Sequence, residues 1–307
     1  MITTPMDVLA QFPVRKSKKQ KQAFREAVME YLRSLGYCVR IEQGQMGANN
    51  IVVGDPQQAK YLVTAHYDTP ARMFLPNFIT PCNFLVYLLY QLLMVGVFLL
   101  VAFVLSFAAM LLTQNEGIAL IAAYVGYFGL LFLMMFGPAN PNNANDNTSG
   151  VVTLLEICKT MPESHRNQVC FVLFDLEEAG LVGSASYRKN HKTATENQIV
   201  LNLDCVGDGD ELMMFPNKAV KKDEAAMAAL SAICGNFGTK SINLHRKGFC
   251  VCPSDHRHFP KGIGIMAFRR MKGIGLYCDK IHTNRDTVLE QTNVNILRAA
   301  IVSLICQ

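Results

Sequence analysis

The chain has 307 residues, of which 50% are hydrophobic, and its formal net charge is +5. This composition excludes a disordered or fibrous protein, because such chains lack the apolar residues that form a core. Within residues 73–145 only Glu116 is charged, whereas the rest of the chain has the charge content of a soluble domain. We therefore expect a soluble body interrupted by an uncharged insert. The basic residues near the N-terminus have no interleaved aromatic residues, so we expect no binding of nucleic acid.

The residues before the insert predict one helix followed by three strands. Residues 17–35 carry apolar side chains at helical spacing and end at Gly36, a common helix stop. Residues 37–41 and 50–53 predict strands around a polar turn, and residues 61–65 predict a short buried strand.

Two long apolar stretches make up most of the insert. As helices, residues 84–112 and 118–136 would be roughly 43 Å and 28 Å long, against a hydrocarbon core of about 30 Å. A short polar turn joins them, which predicts a membrane hairpin of two spans. The alternative is a buried helical hairpin in a soluble oligomer, although the helices of such a hairpin usually keep charge on a water-facing side.

The charges that flank the hairpin predict its orientation. Both ends return to one side, where the body carries Arg72 and the basic N-terminal residues, while the far turn carries only the acidic Glu116. The positive-inside rule therefore favours an integral membrane protein with its body in the cytoplasm.

The residues after the insert alternate between predicted helices and strands. They are a helix from residue 149, a strand at 169–174, a helix from 181, a strand at 199–203, a helix at 222–234, strands near 242 and 265, and a helix from 293. This order predicts an α/β fold with a mixed, largely parallel central sheet flanked by helices. We assign residues 1–72 and 138–307 to one discontinuous body and residues 73–137 to the hairpin.

Histidine and acidic residues follow three of these predicted strands. They are His66 and Asp68, Glu177 and Glu178, and Asp204. A lone histidine is more often structural, and an aspartate after a strand is more often a helix cap. However, α/β sheets bind their ligands at the carboxyl ends of the strands. The convergence of all three groups there predicts a functional site.

Six motifs in chain order resemble the co-catalytic two-zinc aminopeptidase family, whose relatives include bacterial leucyl aminopeptidases, plasma glutamate carboxypeptidase and the glutaminyl cyclases. They are H-x-D at 66–68, D-N-x-S-G at 146–150, E-E-x-G-L-x-G-S at 177–184, N-L-D at 202–204, S-D-H-x-x-F at 254–259 and H-T-x-x-D at 282–286. The resemblance runs from about residue 20 to the C-terminus, except for the hairpin. It implies a zinc-exopeptidase-like fold for the body.

The resemblance also implies two zinc ions held by five residues. Asp146 would bridge the ions, His66 and Asp204 would complete one site, and Glu178 and His282 would complete the other. Two histidines and three carboxylates suit zinc chemically, with water in the remaining positions.

The remaining roles also follow from the resemblance. Glu177 would be the general base, and Asp68 would orient His66. Three consecutive residues are predicted to line the substrate pocket, with a buried structural turn as the alternative: Ser254, Asp255 and His256. Some relatives stabilise the oxyanion with a tyrosine shortly before the S-D-H motif, and this sequence has none between residues 187 and 277. A zinc ion or His256 would take that role.

The expected function is that of a membrane-anchored, zinc-dependent exopeptidase, and specifically an aminopeptidase that hydrolyses the N-terminal peptide bond. Glu177 would accept the proton of the attacking water. The expected partners are a peptide substrate and, through the hairpin, the lipid bilayer. A single-zinc glutaminyl cyclase-like acyltransferase and a catalytically inactive membrane scaffold are the alternatives, both disfavoured because the full ligand set and Glu177 are present. The sequence makes no prediction of oligomeric state.

Overall fold

A computed structural model describes residues 2–307 of the chain. Within that range the sheet is built from β1 (Val39–Gln43), β2 (Asn49–Val53), β3 (Tyr61–His66), β4 (Val169–Phe174), β5 (Ile199–Leu203), β6 (Glu211–Pro216), β7 (Gly235–Phe237), β8 (Lys240–Leu244), β9 (Gly262–Met271) and β10 (Gly275–Tyr277). Their order in the sheet is β1-β2-β4-β3-β5-β9-β6-β8-β7, and β10 pairs with β9.

The centre of the sheet is parallel and its flanks are mainly antiparallel. Strands β4, β3, β5 and β9 run in one direction, whereas β1 with β2, β2 with β4 and β6 with β9 pair antiparallel. Every residue of β3 and β4 is buried, as expected of parallel strands covered on both faces. The predicted α/β fold with a mixed sheet is confirmed, and its parallel part is the centre.

Helices cover both faces of this sheet and form the inserted hairpin. They are α1 (Asp7–Gln11), α2 (Lys18–Ser34), α3 (Phe84–Thr113), α4 (Glu116–Phe136), α5 (Gly150–Thr160), α6 (Val182–Asn190), α7 (Lys218–Lys222), α8 (Glu224–Ala232) and α9 (Gln291–Ile305). A capping box starts α2, where Ser17 and Gln20 each accept the other's backbone N–H. Its apolar face places Phe24 and Leu32 in the core.

Two local predictions differ from the structure. The helix predicted at 222–234 corresponds to α8, which begins at Glu224 because Asp223 is extended and its side chain caps α8 by accepting the backbone N–H of Ala226. The separate short helix α7, which ends at Lys222, was not expected. Strand β6 was not predicted. Its Leu-Met-Met core consists of residues with high helix propensity, and only its pairing with β8 and β9 makes it a strand.

The hairpin helices α3 and α4 pack antiparallel on each other. Gly126 of α4 lies so close to α3 that a Cβ there would be 3.3 Å from the Cα of Ala102. By length and composition both helices can cross a membrane, and only 11% of the most apolar 18-residue stretch of each is buried. The start of α3 lies beside the body, where the ring of Phe84 contacts the ring of Phe249 and the amide of Asn83 donates to the carbonyl of Ile274.

Candidate metal centre

The sheet brings the predicted site residues to one edge. His66 ends β3, Glu177 and Glu178 follow β4, and Asp204 follows β5, and these three strands are neighbours. Asp146 lies in the turn before α5, and the other histidine, His282, lies in the loop between β10 and α9. The five predicted zinc ligands and Glu177 therefore line one cavity, which has a volume of about 160 Å³.

The two oxygens of Asp146 face two different groups of side chains. Its Oδ1 lies 3.2 Å from Nε2 of His66, and that nitrogen lies 3.6 Å from Oδ1 of Asp204. Its Oδ2 lies 3.0 Å from Nε2 of His282, which is 3.5 Å from Oε2 of Glu178. Asp146 is thus shared between one group with His66 and Asp204 and another with His282 and Glu178.

These spacings fit zinc coordination. With metal–ligand bonds of about 2.0–2.1 Å, two ligands at a tetrahedral angle are about 3.3 Å apart. The four nitrogen–oxygen distances range from 3.0 to 3.6 Å. Within residues 2–307, the buried Oε1 of Glu178 has no hydrogen-bond partner, so this carboxylate has a free position for a cation. The residues present therefore fit zinc.

The electrostatics of the site also favour cations. Burial raises the pKa of Glu177 and of Glu178 well above their ordinary range, and neighbouring carboxylates raise it further. Burial alone would lower the pKa of His66, but Glu177 and the aspartates around the ring hold it well above its ordinary value. Burial alone would raise the pKa of Asp146, but contact with His282 and His66 lowers it. The buried acids thus stabilise positive charge beside them, which is the property of a metal site.

Three non-glycine residues at the site adopt left-handed backbone conformations. Leu176 has φ 56°, Cys205 has φ 55° and His282 has φ 60°. Such conformations are uncommon for side chains with a Cβ and cluster at functional sites, where the surrounding structure holds them. Here Leu176 directly precedes the glutamate pair, Cys205 directly follows Asp204, and His282 is itself a predicted ligand.

Asp68 contacts both the histidine and the glutamate pair. Its Oδ1 lies 3.5 Å from Nδ1 of His66 and accepts the backbone N–H of Glu177 at 3.0 Å, and its Oδ2 accepts the N–H of Glu178 at 3.2 Å. The sequence predicted only the contact with His66. The structure adds that one carboxylate fixes the loop that carries Glu177 and Glu178.

Asp286, which the sequence did not assign, holds Asp146 in place. Its two oxygens accept the backbone N–H groups of Asn145 and Asp146 at 2.7 and 2.9 Å. Burial raises the pKa of Asp286 to about 7, and the charge of Asp146 adds to the effect. The H-T-x-x-D motif was the available signal for this residue, since Asp286 is its final position.

The residues predicted for the substrate pocket lie behind the metal centre. Ser254, Asp255 and His256 are at most 3% exposed, and the nearby cavity wall is formed by Cys252 and Pro253. Ser254 donates a hydrogen bond of 2.6 Å to Oδ2 of Asp204, so it orients a predicted ligand. The His256 ring packs under Gly264 of β9, and burial together with Arg257 lowers its pKa to about 4. The three residues thus lie in a buried turn, and their contact with a substrate stays a prediction.

Part of the cavity wall comes from residues for which the sequence gave no signal. Asn77 and Ile79 belong to the segment that leads into α3, and Cys205 follows Asp204. The Cys205 thiol lies within ligand distance of Asp146 and Asp204. Burial raises the pKa of this thiol well above its usual range.

The model of the peptidase family M28 matches residues 132–303, which is more than half of the chain. The chain belongs to peptidase family M28. The expected family resemblance is thereby confirmed, and membership places the chain among zinc-dependent metallopeptidases and their structural relatives. The family match begins near the end of α4 and includes all predicted ligands except His66. No curated protein sequence matches the chain.

Solved structures of M28-like proteins share the fold. A glutaminyl cyclase from Porphyromonas gingivalis is 16% identical with a TM-score of 0.59, covering 96% of this chain and 93% of its own. A Zn-dependent exopeptidase from Parabacteroides distasonis is 14% identical with a TM-score of 0.60, covering 98% and 94%. The LapA aminopeptidase of Legionella pneumophila is 13% identical with a TM-score of 0.57, covering 98% and 68%. At these identities the likeness is one of fold.

Proposed function

We propose that this M28 protein is a membrane-anchored aminopeptidase that binds two zinc ions and hydrolyses the N-terminal peptide bond of its substrate. One observation carries the proposal: five ligand residues lie in two groups that share the two oxygens of Asp146. A single-metal site needs only one such group. The two groups together support a pair of ions on one bridging carboxylate.

The roles of the side chains follow from their positions. Bound zinc supplies a Lewis acid for the scissile carbonyl and lowers the pKa of water. Glu177 lines the cavity next to the group of His66 and Asp204, where it accepts the proton of the attacking water and returns it to the leaving amine. Asp68 positions His66 and the backbone of Glu177 through its Oδ1, and the backbone of Glu178 through its Oδ2.

The hairpin is proposed as the membrane anchor, with residues 73–137 as the membrane unit. A core helix of a soluble protein is mostly buried, whereas α3 and α4 expose their apolar side chains. At the end near the body, Lys16 donates a hydrogen bond to the carbonyl of Met135 in the last turn of α4, and Arg72 lies close by. The far turn carries the acidic Glu116. This distribution of charge supports a cytoplasmic body.

A glutaminyl cyclase-like acyltransferase is the second candidate, because the fold is shared with the cyclase from Porphyromonas gingivalis. The two activities differ in substrate and product. Purified protein loaded with zinc should release the first residue of unblocked peptides and leave N-terminal glutamine uncyclised. Cyclisation of a glutaminyl peptide without release of any residue would favour the cyclase.

Adjacent substitutions test the mechanism. Glu177→Gln keeps the shape of the side chain but removes the base, so we expect turnover of an aminoacyl-4-nitroanilide to fall by a factor of about 10² to 10⁴ with both zinc ions retained. Glu178→Gln, one residue later, should instead weaken one zinc site, because a neutral amide is a poorer ligand than a carboxylate. If Glu177→Gln lost zinc or kept near-normal turnover, the assigned roles of the pair would be wrong.

The topology is tested by accessibility. Single cysteines placed at Gln114 in the far turn and at Lys159 in the body, in a chain without its native cysteines, should react with an impermeant thiol reagent from opposite sides of the membrane. Labelling of Lys159→Cys from outside intact cells, or recovery of the wild-type chain in the soluble fraction, would contradict the proposal.

A further inference from the structure

The wall of the site cavity is rich in groups that accept hydrogen bonds. Four carboxylates line it, and they are those of Asp146, Glu177, Glu178 and Asp204. A peptide substrate brings both an amino group and a carbonyl oxygen into this cavity. The amino group finds several acceptors among the carboxylates, whereas the carbonyl oxygen needs a donor.

Most side-chain donors on this wall are already engaged. The Nε2 atoms of His66 and His282 face the carboxylates of the two predicted zinc groups. The thiol of Cys205 donates to Asp204, and the thiol of Cys252 donates to the sulfur of Met266 at 3.1 Å. The other non-acidic side chains of the wall, apart from Asn77, have no polar hydrogen, and they are those of Ile79, Pro253, Met266 and Ile281.

Asn77 is the one side chain of the wall with free donors. Its amide carries two N–H groups, and it makes no hydrogen bond with any residue that the structure describes, residues 2–307. Polar side chains away from bulk solvent are normally paired, so an unpaired amide in a cavity calls for a ligand. The acceptor that is missing here is an oxygen atom, which a substrate carbonyl supplies.

The segment that carries Asn77 is fixed to the loop that carries one of the predicted ligands. The backbone N–H of Met73 donates to the carbonyl of His282 at 2.7 Å. Ile79 exchanges two backbone hydrogen bonds with Cys278, of 2.8 and 2.9 Å. Asn77 therefore lies between two anchors, and its backbone cannot shift without the ligand loop.

Both neighbours of Asn77 in the chain are also held. The hydroxyl of Tyr90 on α3 donates to the carbonyl of Pro76. The ring of Phe78 contacts the rings of Tyr90 and Tyr277, with centroids 6.0 and 5.9 Å away. The start of the hairpin thus helps to hold a free donor at the metal centre.

We infer that Asn77 donates a hydrogen bond to the oxygen of the scissile carbonyl and stabilises the negative charge that this oxygen gains in the transition state. This inference rests on the proposed aminopeptidase function and adds a catalytic residue to it. Donors that are fixed before the reaction stabilise such a charge well, because nothing has to reorganise when it forms. His256, which the sequence offered for this role, lies under Gly264 of β9 and is not part of the cavity wall.

The hydrogen bond changes no other part of the reaction. The oxygen of the attacking water bonds to the carbonyl carbon, and the proton of that water passes through Glu177 to the leaving amine. The carbon–nitrogen bond then breaks. Asn77 gives up no proton at any point, so its contribution is the hydrogen bond alone.

Replacing Asn77 by alanine or by aspartate tests the inference. Alanine removes the donor, and aspartate keeps the shape of the side chain but offers only acceptors. We expect kcat for an aminoacyl-4-nitroanilide to fall by a factor of about 10² to 10³ in both variants, which is the usual effect of losing one donor to an oxyanion. KM and zinc content should stay close to those of the wild type, because the interaction forms only in the transition state.

Leu75→Ala is the matched control. Leu75 lies two residues earlier in the same segment, but its exposed side chain is not part of the cavity wall. This variant should keep the wild-type kcat and KM. An equal loss of kcat in Leu75→Ala, or a wild-type kcat in Asn77→Ala, would overturn the inference.

A second measurement does not depend on turnover. It compares the affinity of the zinc-loaded protein for 1-amino-3-methylbutylphosphonic acid, a charged tetrahedral analogue, with its affinity for 3-methylbutylamine, which lacks the phosphonate group. Asn77→Ala should weaken binding of the phosphonic acid by roughly 10- to 100-fold, because a hydrogen bond to a charged oxygen is lost, and should leave binding of the amine unchanged.

The two measurements separate failure of the inference from failure of the proposed function. If the wild-type protein hydrolyses no peptide, the aminopeptidase proposal fails, and the affinity for the phosphonic acid still shows whether Asn77 binds a charged oxygen. If the wild-type protein is an active aminopeptidase and Asn77→Ala binds the phosphonic acid as tightly, the inference fails and the proposed function stands.

Discussion

Replacing Asp68 by asparagine should damage the metal centre without removing any ligand. The carboxylate accepts two backbone N–H groups, from Glu177 and Glu178, and its Oδ1 also faces Nδ1 of His66. Asparagine has the same shape but offers one oxygen and one NH₂ group. Whichever way the amide turns, its NH₂ group meets a donor, so at least one of these interactions is lost.

The size of the effect follows from the interaction that is lost. A hydrogen bond to a charged group contributes about 1.5–3 kcal/mol, and 1.4 kcal/mol corresponds to a factor of ten. Losing one bond that positions the glutamate loop should therefore reduce kcat/KM by roughly 10- to 100-fold. Substitution of residues that orient metal ligands has effects of about the same size on metal affinity.

The assay is a titration of apo-protein with zinc, followed by kcat/KM for an aminoacyl-4-nitroanilide at saturating zinc. Asp55→Asn is the control, because Asp55 also accepts a backbone N–H, from Gln57, but on the exposed surface. It should leave zinc affinity and turnover unchanged. Wild-type values of both quantities in Asp68→Asn would refute the positioning role of this carboxylate.

Three further outcomes are expected. Ser254→Ala removes the donor to Asp204, so zinc affinity measured against a competing chelator should fall roughly tenfold, and an unchanged affinity would contradict the role of Ser254. Removal of zinc from the wild-type protein should lower Tm by about 10 °C, because bound metal stabilises the native state. The same treatment of Asp146→Ala should change its Tm much less, because this variant holds little zinc to remove. Arg15→Ala should lower the free energy of unfolding by about 3 kcal/mol, because the fully buried Arg15 donates to the carbonyl of Tyr67 and to other groups. Thermal unfolding in detergent measures this change, and an unchanged stability would contradict the structural role of Arg15.

The elements that could be predicted are those whose structure is determined by their own local sequence. The continuous apolar runs of β3 and β4 and the capping box of α2 are local features, and the structure has those elements at the predicted places. Strand β6 could not be predicted, since its methionines favour a helix and its neighbours in the sheet are distant in sequence.

The sequence motifs predicted the ligand residues of the metal centre but not the contacts that support them. The motifs indicated which residues meet, and the structure brings the five predicted ligands together. They gave no indication that Asp68 also binds the backbone of Glu178, or that Ser254 orients Asp204, because these are contacts between loops far apart in sequence. Asn77 and Ile79, which line the cavity, have no counterpart in any motif, since they belong to the insert.

The central claim is that Asp146 bridges two zinc ions, and zinc content per chain tests it most directly. We expect elemental analysis of purified, zinc-loaded protein to give two equivalents for the wild type and for Glu177→Gln. Asp146→Ala should lose both ions, because each group of ligands depends on one oxygen of this carboxylate. Two full equivalents in Asp146→Ala, or a single equivalent in the wild type, would contradict the account.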